Sequence, residues 1–295
     1  MGTSLSMRLL FSLVRLRQWP KNFLVFVPLL TSLQLTDSNL IFASLAGFIA
    51  FSLISASGYI FNDWYDRKAD ATHPLKQWRP LAKGSVNVMW AMYLAFLLFA
   101  AGSCISFVLQ PQAFWLASGY IFLQLLYTLY LKRIVYLDVL VLAGFYLTRV
   151  WFGGIIIGTG VSFWLEAFAG LTFISLALQK RTVDILHYAE PLKKSIPGRD
   201  YEQTDLRWIL PMGFSSFFAA SVVFLLYIRS PEASILYSNR SWLLIPVLIF
   251  VFWISRLWIQ TSKSRLREDA FTFAIKDVLT YCLAIVAAGF IWLAI

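Results

Sequence analysis

The chain is poor in cysteine, histidine and charge, and each shortage narrows the class of protein. Its 295 residues include two cysteines and two histidines. No metal-ligand spacing connects the cysteines, so the composition argues against a histidine- or cysteine-based metal centre. Charged residues make up only 14% of the chain, which is too few for an ordinary soluble domain. The N-terminus lacks an uninterrupted apolar stretch, because Arg8, Arg15 and Arg17 break it, and no signal peptide is predicted.

Long apolar segments are what the chain has in place of charge. Apolar residues make up 59% of it, and its mean hydropathy is +0.70. Apolar segments of about 20 residues cross a bilayer as helices. The pattern predicts an all-α integral membrane protein, a bundle of about nine transmembrane helices in one domain over residues 1–295, with a basic interfacial segment at 1–21. The predicted spans are 22–36, 39–62, 86–109, 112–131, 137–158, 162–179, 208–228, 241–260 and 271–294.

The charges are distributed unevenly between the two predicted sides. All but three of the 25 basic residues fall on the side of the N-terminus, and the exceptions are Arg149, Arg229 and Arg240. The positive-inside rule then predicts a multi-pass protein of the cytoplasmic (inner) membrane with a cytoplasmic N-terminus. All but three of the 15 acidic residues lie on the same side, although that rule makes no demand on acids. We therefore expect the active site at the cytoplasmic end, and the nearly uncharged far side argues against a channel or transporter.

An acidic motif follows the second predicted span. Asp63, Asp66 and Asp70 are three and four residues apart, which places them on one face of a helix. Three carboxylates on one face repel one another and need cations nearby. A hard ion such as Mg²⁺ takes one or two carboxylates together with water and phosphate oxygens. A basic segment, 73–84, follows directly, and a solvated helix end is the alternative interpretation.

Two ionisable residues lie within the fifth predicted span. Asp138 and Arg149 are close to three helical turns apart, so they share one face. An arginine deep in a membrane costs a few kcal/mol, and it is expected to face the bundle interior or a wet cavity. A functional role is the default for such a residue, and a structural ion pair is the alternative.

Further polar groups close the fourth and sixth predicted spans. Tyr127 and Lys132 end the fourth, where a lysine is also ordinary under the positive-inside rule. Lys180, Arg181 and Asp184 end the sixth. Lys180 and Asp184 are one turn apart, which is the spacing of a simple ion pair on a helix surface. Phosphate binding is the alternative, with lysine as a point charge and arginine as a bidentate fork.

One motif of this chain resembles that of a known family. Asn62-Asp63-x-x-Asp66-x-x-x-Asp70 is followed by Arg79-Pro80-Leu81-x-x-Gly84. Together with the predicted spans, the motif resembles the UbiA superfamily of intramembrane prenyltransferases over nearly the whole chain. Within it, the chain is most similar to the decaprenyl-phosphate phosphoribosyltransferase branch. That similarity rests on Arg17-Gln18-Trp19-Pro20-Lys21-Asn22, His73-Pro74-x-Lys76-x-x-Arg79-Pro80, Asp138-Val139 with Gly144-Phe145 and Arg149, and Lys180-Arg181.

The resemblance implies a Mg²⁺-dependent membrane enzyme. The branch transfers the 5-phosphoribosyl group of phosphoribosyl pyrophosphate (PRPP) to a polyprenyl phosphate and releases pyrophosphate. The partners would be these two substrates and the lipid bilayer, without nucleic acid, and no oligomeric state is predicted. The catalytic residues would be Asp63, Asp66 and Asp70, which would hold Mg²⁺ together with Asn62. The substrate-binding residues would be Lys21, Asn62, Lys76, Arg79, Tyr127, Lys132, Asp138, Arg149, Lys180, Arg181 and Asp184.

The chain departs from the superfamily pattern at one place. Many members carry a second aspartate motif, DxxxD, near the end of the sixth span, where this chain reads Lys180-Arg181-Thr182-Val183-Asp184. Lysine at the first acidic position weakens a second metal–diphosphate clamp, which favours a phosphorylated sugar over a polyprenyl diphosphate as donor. Transfer of a polyprenyl group from its diphosphate to an aromatic acceptor is the alternative chemistry. A lipid-binding or transport protein is the alternative from another class.

Overall fold

The computed structural model describes residues 7–72, 76–188 and 199–295, and the elements in these ranges are helical. The predicted all-α fold is confirmed. Short 3₁₀ segments at Leu16–Phe26, Leu131–Arg133, Gln203–Asp205 and Arg240–Leu243 separate the α-helices. The α-helices are α1 (Met7–Leu13), α2 (Val27–Thr31), α3 (Ser38–Ala71), α4 (Val88–Leu109), α5 (Pro111–Leu129), α6 (Leu137–Ile157), α7 (Phe163–Tyr188), α8 (Leu206–Arg229), α9 (Pro231–Leu236), α10 (Leu244–Ser262), α11 (Ala270–Lys276) and α12 (Val278–Ala294).

Several of these helices are suited to cross a membrane. Within the described ranges, five helical stretches are long and apolar enough, namely α3, α4, α6, Gln203–Arg229 with α8, and Arg240–Ser262 with α10. The pair α11 and α12 would make a sixth, bent by 87° at the break between them. A multi-pass membrane protein is therefore supported, whereas the predicted number of nine spans is not confirmed.

The first predicted span, 22–36, does not form one continuous helix. The chain there runs through the 3₁₀ segment Leu16–Phe26 into the short helix α2. Pro28 has no N–H to donate to the carbonyl four residues earlier, so an α-helix cannot run unbroken through it. Leu33 then adopts a φ of 57°, in the left-handed region that ends a helix. The segment is apolar enough to span a membrane, but Pro28 and the backbone conformation of Leu33 prevent one continuous helix.

Helix α3 is the longest element and carries the acidic motif. Its 34 residues begin after Asp37, whose side chain accepts hydrogen bonds from the backbone N–H groups of Asn39 and Leu40 at 2.8 and 3.4 Å. This N-cap satisfies donors that the first turn cannot pair within the helix. The helix continues past the apolar run to Ala71, so the three aspartates lie on it as predicted.

The last predicted span is broken at Asp277. Its carboxylate accepts a hydrogen bond from the backbone N–H of Thr280 at 3.0 Å, which starts α12 as a new helix. Arg256 on α10 donates to both carboxylate oxygens, at 2.7 and 2.9 Å. The carboxylate of Asp277 both caps α12 and accepts two hydrogen bonds from Arg256, and these contacts stabilise the bend between α11 and α12.

The chain groups into two compact units. Unit 1 comprises Met1–Lys132 and Thr148–Gly160, and unit 2 comprises Arg133–Leu147 and Val161–Ile295. Helix α6 contributes its first half to unit 2 and its second half to unit 1. Each unit has a buried apolar cluster, around Ile60 in unit 1 and around Trp258 in unit 2. The single domain over residues 1–295 stays a prediction.

Candidate active site

The carboxylates of the acidic motif are each paired with a cation in unit 1. Arg79 Nη1 lies 2.9 Å from Asp63 Oδ1 and 2.6 Å from Asp70 Oδ2. Lys132 Nζ lies 2.5 Å from Asp66 Oδ1. Asp63 and Asp70 are only 2% and 4% exposed, so the alternative of a merely solvated helix end is wrong. We call the three aspartates and the cations that contact them the acidic cluster.

Arg15 belongs to the acidic cluster, and the sequence analysis missed it. Its Nε donates to Asp63 Oδ2 at 3.0 Å, and its Nη2 donates to Oδ1 of the same carboxylate. The guanidinium also lies over the ring of Tyr59, 5.2 Å from its centroid. Arg15 has a φ of 52°, a conformation that non-glycine residues rarely adopt and that occurs at functional sites. The sequence showed only a charge that interrupts an apolar stretch, because the partner is 48 residues away.

Two guanidinium groups crowd the single carboxylate of Asp63. Burial lowers the pKa of Arg79, and the neighbouring charge of Arg15 lowers it further, whereas Asp63 and Asp70 oppose the shift. Like charges this close repel each other, and a further anion between them would relieve the repulsion. Arginine forks also match phosphate oxygens in geometry. The two arginines of the acidic cluster are therefore suited to contact the phosphate group of a ligand.

The oxygen atoms of the motif fit Mg²⁺ in kind. Within the described ranges, no three acidic, histidine or cysteine side chains are arranged to hold a metal by themselves. Mg²⁺ is usually bound by one or two carboxylates, with waters and substrate phosphates completing its octahedron. Asn62 on the same helix adds an amide oxygen, which here accepts a hydrogen bond from Thr128 Oγ1 at 3.2 Å. The donor set fits an ion bound together with a phosphate rather than a closed protein cage.

Arg149 is buried in unit 1 among polar and aromatic groups. Its Nε donates to Asn22 Oδ1 at 2.8 Å, and its Nη2 lies 3.3 Å from the hydroxyl oxygen of Tyr120. The guanidinium is 5.0 Å from the ring centroid of Phe51 and 5.4 Å from that of Tyr120. The prediction that this residue faces the interior is confirmed, because it is 1% exposed. Asn22 was a further residue to which sequence reasoning assigned no role.

A second group of charges, which we call the Asp138 cluster, lies in unit 2. Arg181 Nε is 2.6 Å from Asp138 Oδ2, and its Nη1 is 2.5 Å from Asp184 Oδ2. The hydroxyl of Tyr201 donates to Asp138 Oδ1 and accepts from the backbone N–H of Tyr136 at 2.9 Å. Burial raises the pKa of Tyr201, and the negative charge of Asp138 raises it further, so the phenol stays a donor. Asp138, Arg181 and Tyr201 are 0% exposed.

The Asp138 cluster differs from the simplest sequence interpretation. Asp184 contacts Arg181, three residues before it, a pairing that the sequence spacing had not pointed to. Arg199 also approaches, with Nη1 3.6 Å from Asp138 Oδ2 and 3.8 Å from Asp184 Oδ2. Sequence reasoning missed Tyr201, because nothing in a polar loop marks one tyrosine as buried.

The remaining predicted site residues are placed as follows. Lys21 and Tyr127 are buried in unit 1, and Lys76 lies half-buried there. Lys180 is half-buried in unit 2. The motif residues His73 and Pro74 lie outside the described ranges, and the substrate roles assigned to the predicted residues stay predictions.

The helices that are long and apolar enough to cross a membrane define a multi-pass membrane protein, and one of them carries an ion-paired aspartate motif. Residues 23–280 match the model of the UbiA prenyltransferase family, and the chain belongs to this family. A solved UbiA homolog from Archaeoglobus fulgidus, bound to GPP and Mg²⁺, has the same fold with a TM-score of 0.66. That match has 15% sequence identity and covers 95% of this chain and 96% of the other.

The sequence relatives carry different names. The uncharacterized protein y4nM of Sinorhizobium fredii is 34% identical over 280 residues, covering 94% of this chain and 54% of that protein. The chain thus spans about half of the length of that relative. Nodulation protein NoeC of Azorhizobium caulinodans is 27% identical, covering 95% and 91%. The decaprenyl-phosphate phosphoribosyltransferase of Mycolicibacterium smegmatis is 31% identical over 208 residues, covering 68% of this chain and 64% of that protein.

Proposed function

We propose that the chain transfers the 5-phosphoribosyl group of PRPP to a polyprenyl phosphate and releases pyrophosphate. The similarity to the mycobacterial phosphoribosyltransferase supports this choice of substrates. The uneven distribution of basic residues supports a site at the cytoplasmic end of an inner-membrane protein. A soluble sugar donor and a lipid acceptor would meet there, at the surface that both can reach.

The observation that carries the proposal is the neutralised acid at the end of α7. Asp184 is the only acid left of the second motif, and Arg181 binds its carboxylate at 2.5 Å. Lys180 occupies the first acidic position of that motif. Lysine at this position removes one of the two carboxylates and adds a positive charge, and both changes disfavour a second metal ion there. One metal-binding motif instead of two favours a donor other than a polyprenyl diphosphate.

The acidic cluster would bind the pyrophosphate end of PRPP. Asn62, Asp63, Asp66 and Asp70 would hold Mg²⁺, and Asp70 also contacts Arg79. When bound, Mg²⁺ supplies positive charge that stabilises the leaving pyrophosphate. Arg15, Arg79 and Lys132 would exchange part of their carboxylate contacts for pyrophosphate oxygens. These contacts strengthen as negative charge builds on the leaving group, which is where transition-state stabilisation is gained.

The acceptor phosphate needs little activation by the protein. A polyprenyl phosphate is already anionic at neutral pH, so its oxygen attacks C1 of the ribose without a strong general base. The bond from C1 to the pyrophosphate oxygen breaks as the bond from C1 to the lipid phosphate oxygen forms. The main task of the protein is to hold both substrates in line, which converts their meeting into an intramolecular step.

A second candidate function is the transfer of a prenyl group from its diphosphate to an aromatic acceptor. The solved archaeal neighbour, which was bound to GPP and Mg²⁺, favours this candidate. The acidic cluster suits either diphosphate donor, so it does not discriminate between the two.

The two candidates separate in one assay with two mixtures. Purified protein in detergent with Mg²⁺ receives either labelled PRPP with polyprenyl phosphate, or polyprenyl diphosphate with labelled 4-hydroxybenzoate. We expect labelled lipid in the first mixture and none in the second, with its mass higher than the acceptor by one phosphoribosyl group. Labelled lipid in the second mixture alone would reject the proposed function.

A further inference from the structure

Helices α3 and α5 face each other in unit 1 through a series of paired positions. The positions repeat every four residues, so those on α3 follow one face over successive turns. On the facing side, Gln124 and Thr128 lie on α5, and Lys132 lies in the 3₁₀ segment that follows it. The series begins at the acidic cluster and runs along the helices towards the interior of unit 1. We call it the α3–α5 ladder, and its pairs are Asp66–Lys132, Asn62–Thr128 and Gly58–Gln124.

The third pair of the ladder differs from the first two. Lys132 Nζ contacts Asp66 at 2.5 Å, and Thr128 donates to Asn62 at 3.2 Å. By contrast, Gln124 Oε1 is buried without a hydrogen-bond partner among the described residues, and the residue as a whole is only 6% exposed. A buried carbonyl oxygen that makes no hydrogen bond is costly, and such groups are rare in folded proteins.

Gly58 makes room for the amide of Gln124. A Cβ at this position would lie 2.3 Å from Gln124 Oε1 and 2.6 Å from its Nε2. Such a contact is far inside van der Waals distance, so any side chain at this position would displace the amide. The absence of a side chain therefore allows a polar group to lie against α3, one turn from Asn62.

The position of this amide matches the size of a sugar. Gly58 lies roughly 6 Å along α3 from Asn62 and roughly 7.5 Å from Asp63, at 1.5 Å of rise per residue. A pyrophosphate held at the acidic cluster would carry its C1 substituent within about one helical turn of the cluster. A pentose ring attached at C1 would therefore lie near the level of Gly58 and Gln124 along α3.

We propose that Gln124 Oε1 accepts a hydrogen bond from a hydroxyl of the donor sugar and so selects a glycosyl diphosphate over a prenyl diphosphate. This inference rests on the proposed function and names the residue that reads the sugar. A prenyl chain has no donor for the oxygen and would leave it unpaired. Sites built around such a polar group reject the analogue that lacks the matching hydroxyl.

The test compares PRPP with geranyl diphosphate. Both donors carry a pyrophosphate, but only PRPP carries a sugar. Gln124→Met replaces the amide with an apolar side chain of similar length, and Gln112→Met makes the same change at an exposed position of α5. Affinities for pyrophosphate, PRPP and geranyl diphosphate are measured with Mg²⁺ by ligand-induced thermal shift in detergent. We expect Gln124→Met to weaken PRPP binding by about threefold to tenfold, the value of one neutral hydrogen bond, with pyrophosphate binding unchanged. Gln112→Met should leave all three affinities unchanged.

The outcomes distinguish a failed inference from a failed function. An unchanged ratio of PRPP to pyrophosphate affinity in Gln124→Met would overturn the inference, even where the wild type binds PRPP. Wild-type protein that binds geranyl diphosphate and not PRPP would instead overturn the proposed function. If Gln124→Met does not fold, Gln124→Asn withdraws the oxygen by one methylene and carries the same expectation. Deoxy analogues of PRPP add a control, because the analogue that lacks the contacted hydroxyl should bind wild type and Gln124→Met equally.

Discussion

The acidic cluster and the Asp138 cluster contain the same kind of ion pair but differ in how far their arginines are exposed. Both pair aspartate with arginine at short distances. In the acidic cluster the cations keep part of their surface exposed, and the side chains of Arg15 and Arg79 are 18% and 26% exposed. In the Asp138 cluster the side chains of Asp138 and Arg181 are 0% exposed, and a buried tyrosine contacts the second oxygen of Asp138. The closed part of this cluster is that pair, because Arg199 and Asp184 are 20% and 26% exposed.

This difference in the exposure of the arginines bears on which cluster can bind a ligand. An ion pair open to solvent can exchange one partner for a phosphate at low cost, since water compensates the charges during the change. A fully buried pair cannot, because the charge left behind loses both its partner and its hydration. The comparison favours ligand binding at the acidic cluster and structural stabilisation at the Asp138 cluster, and the substrate role of Arg181 stays a prediction that the next experiment tests.

The largest expected effect is on stability, from Arg181→Met. The substitution leaves Asp138 and Asp184 without their 2.6 and 2.5 Å contacts to this guanidinium. Removing one partner of a buried ion pair costs about 3–5 kcal/mol, so the thermal unfolding temperature in detergent should fall steeply. The matched control is Arg133→Met, at an exposed arginine of the same unit, which should leave unfolding unchanged. A normal unfolding temperature with lost activity would return Arg181 to the substrate-binding residues and break the comparison.

The next effect is on activity, from Asp66→Asn in the acidic cluster. The side chain of Asp66 is 24% exposed, so the neutral amide should be tolerated structurally. Losing one preorganised charged group at a diphosphate site should lower the rate of pyrophosphate release by roughly 10²–10³-fold, as for other electrostatic stabilisers. Asp37→Asn makes the same change on the same helix, where asparagine caps as well as aspartate, and it should leave the rate unchanged. A rate for Asp66→Asn within a few-fold of wild type would remove this residue from the metal-binding set.

The all-helical membrane class was predictable from sequence, because it depends on composition and apolar run length. Helix α3 was predictable together with its three aspartates, because a spacing of three and four residues is a local property. The break at Asp277 and the irregular stretch at 22–36 were not. There the decisive groups are a side-chain cap held by Arg256 from another helix, and a proline inside an otherwise apolar run.

The candidate site was predictable only in its local part. The aspartates, Arg79 and Lys132 were identified, because they lie in or next to recognisable motifs. Arg15 and Tyr201 were missed, since each contacts a partner many residues away. Burial decides such cases, and a single sequence does not show which polar side chain will be enclosed.

The smallest expected effect tests whether the Asp138 cluster is as closed as its burial indicates. Tyr201→Phe removes one hydrogen bond to a charged acceptor and leaves the backbone N–H of Tyr136 without this partner. Hydrogen bonds to charged groups contribute about 1.5–3 kcal/mol, so unfolding in detergent should shift by less than for Arg181→Met. Activity per folded molecule should stay at the wild-type level, and Tyr93→Phe, at an exposed tyrosine of unit 1, should change neither quantity. If Tyr201→Phe lowers the rate but not the stability, the Asp138 cluster binds substrate, and the contrast between open and closed ion pairs fails as a guide to this protein.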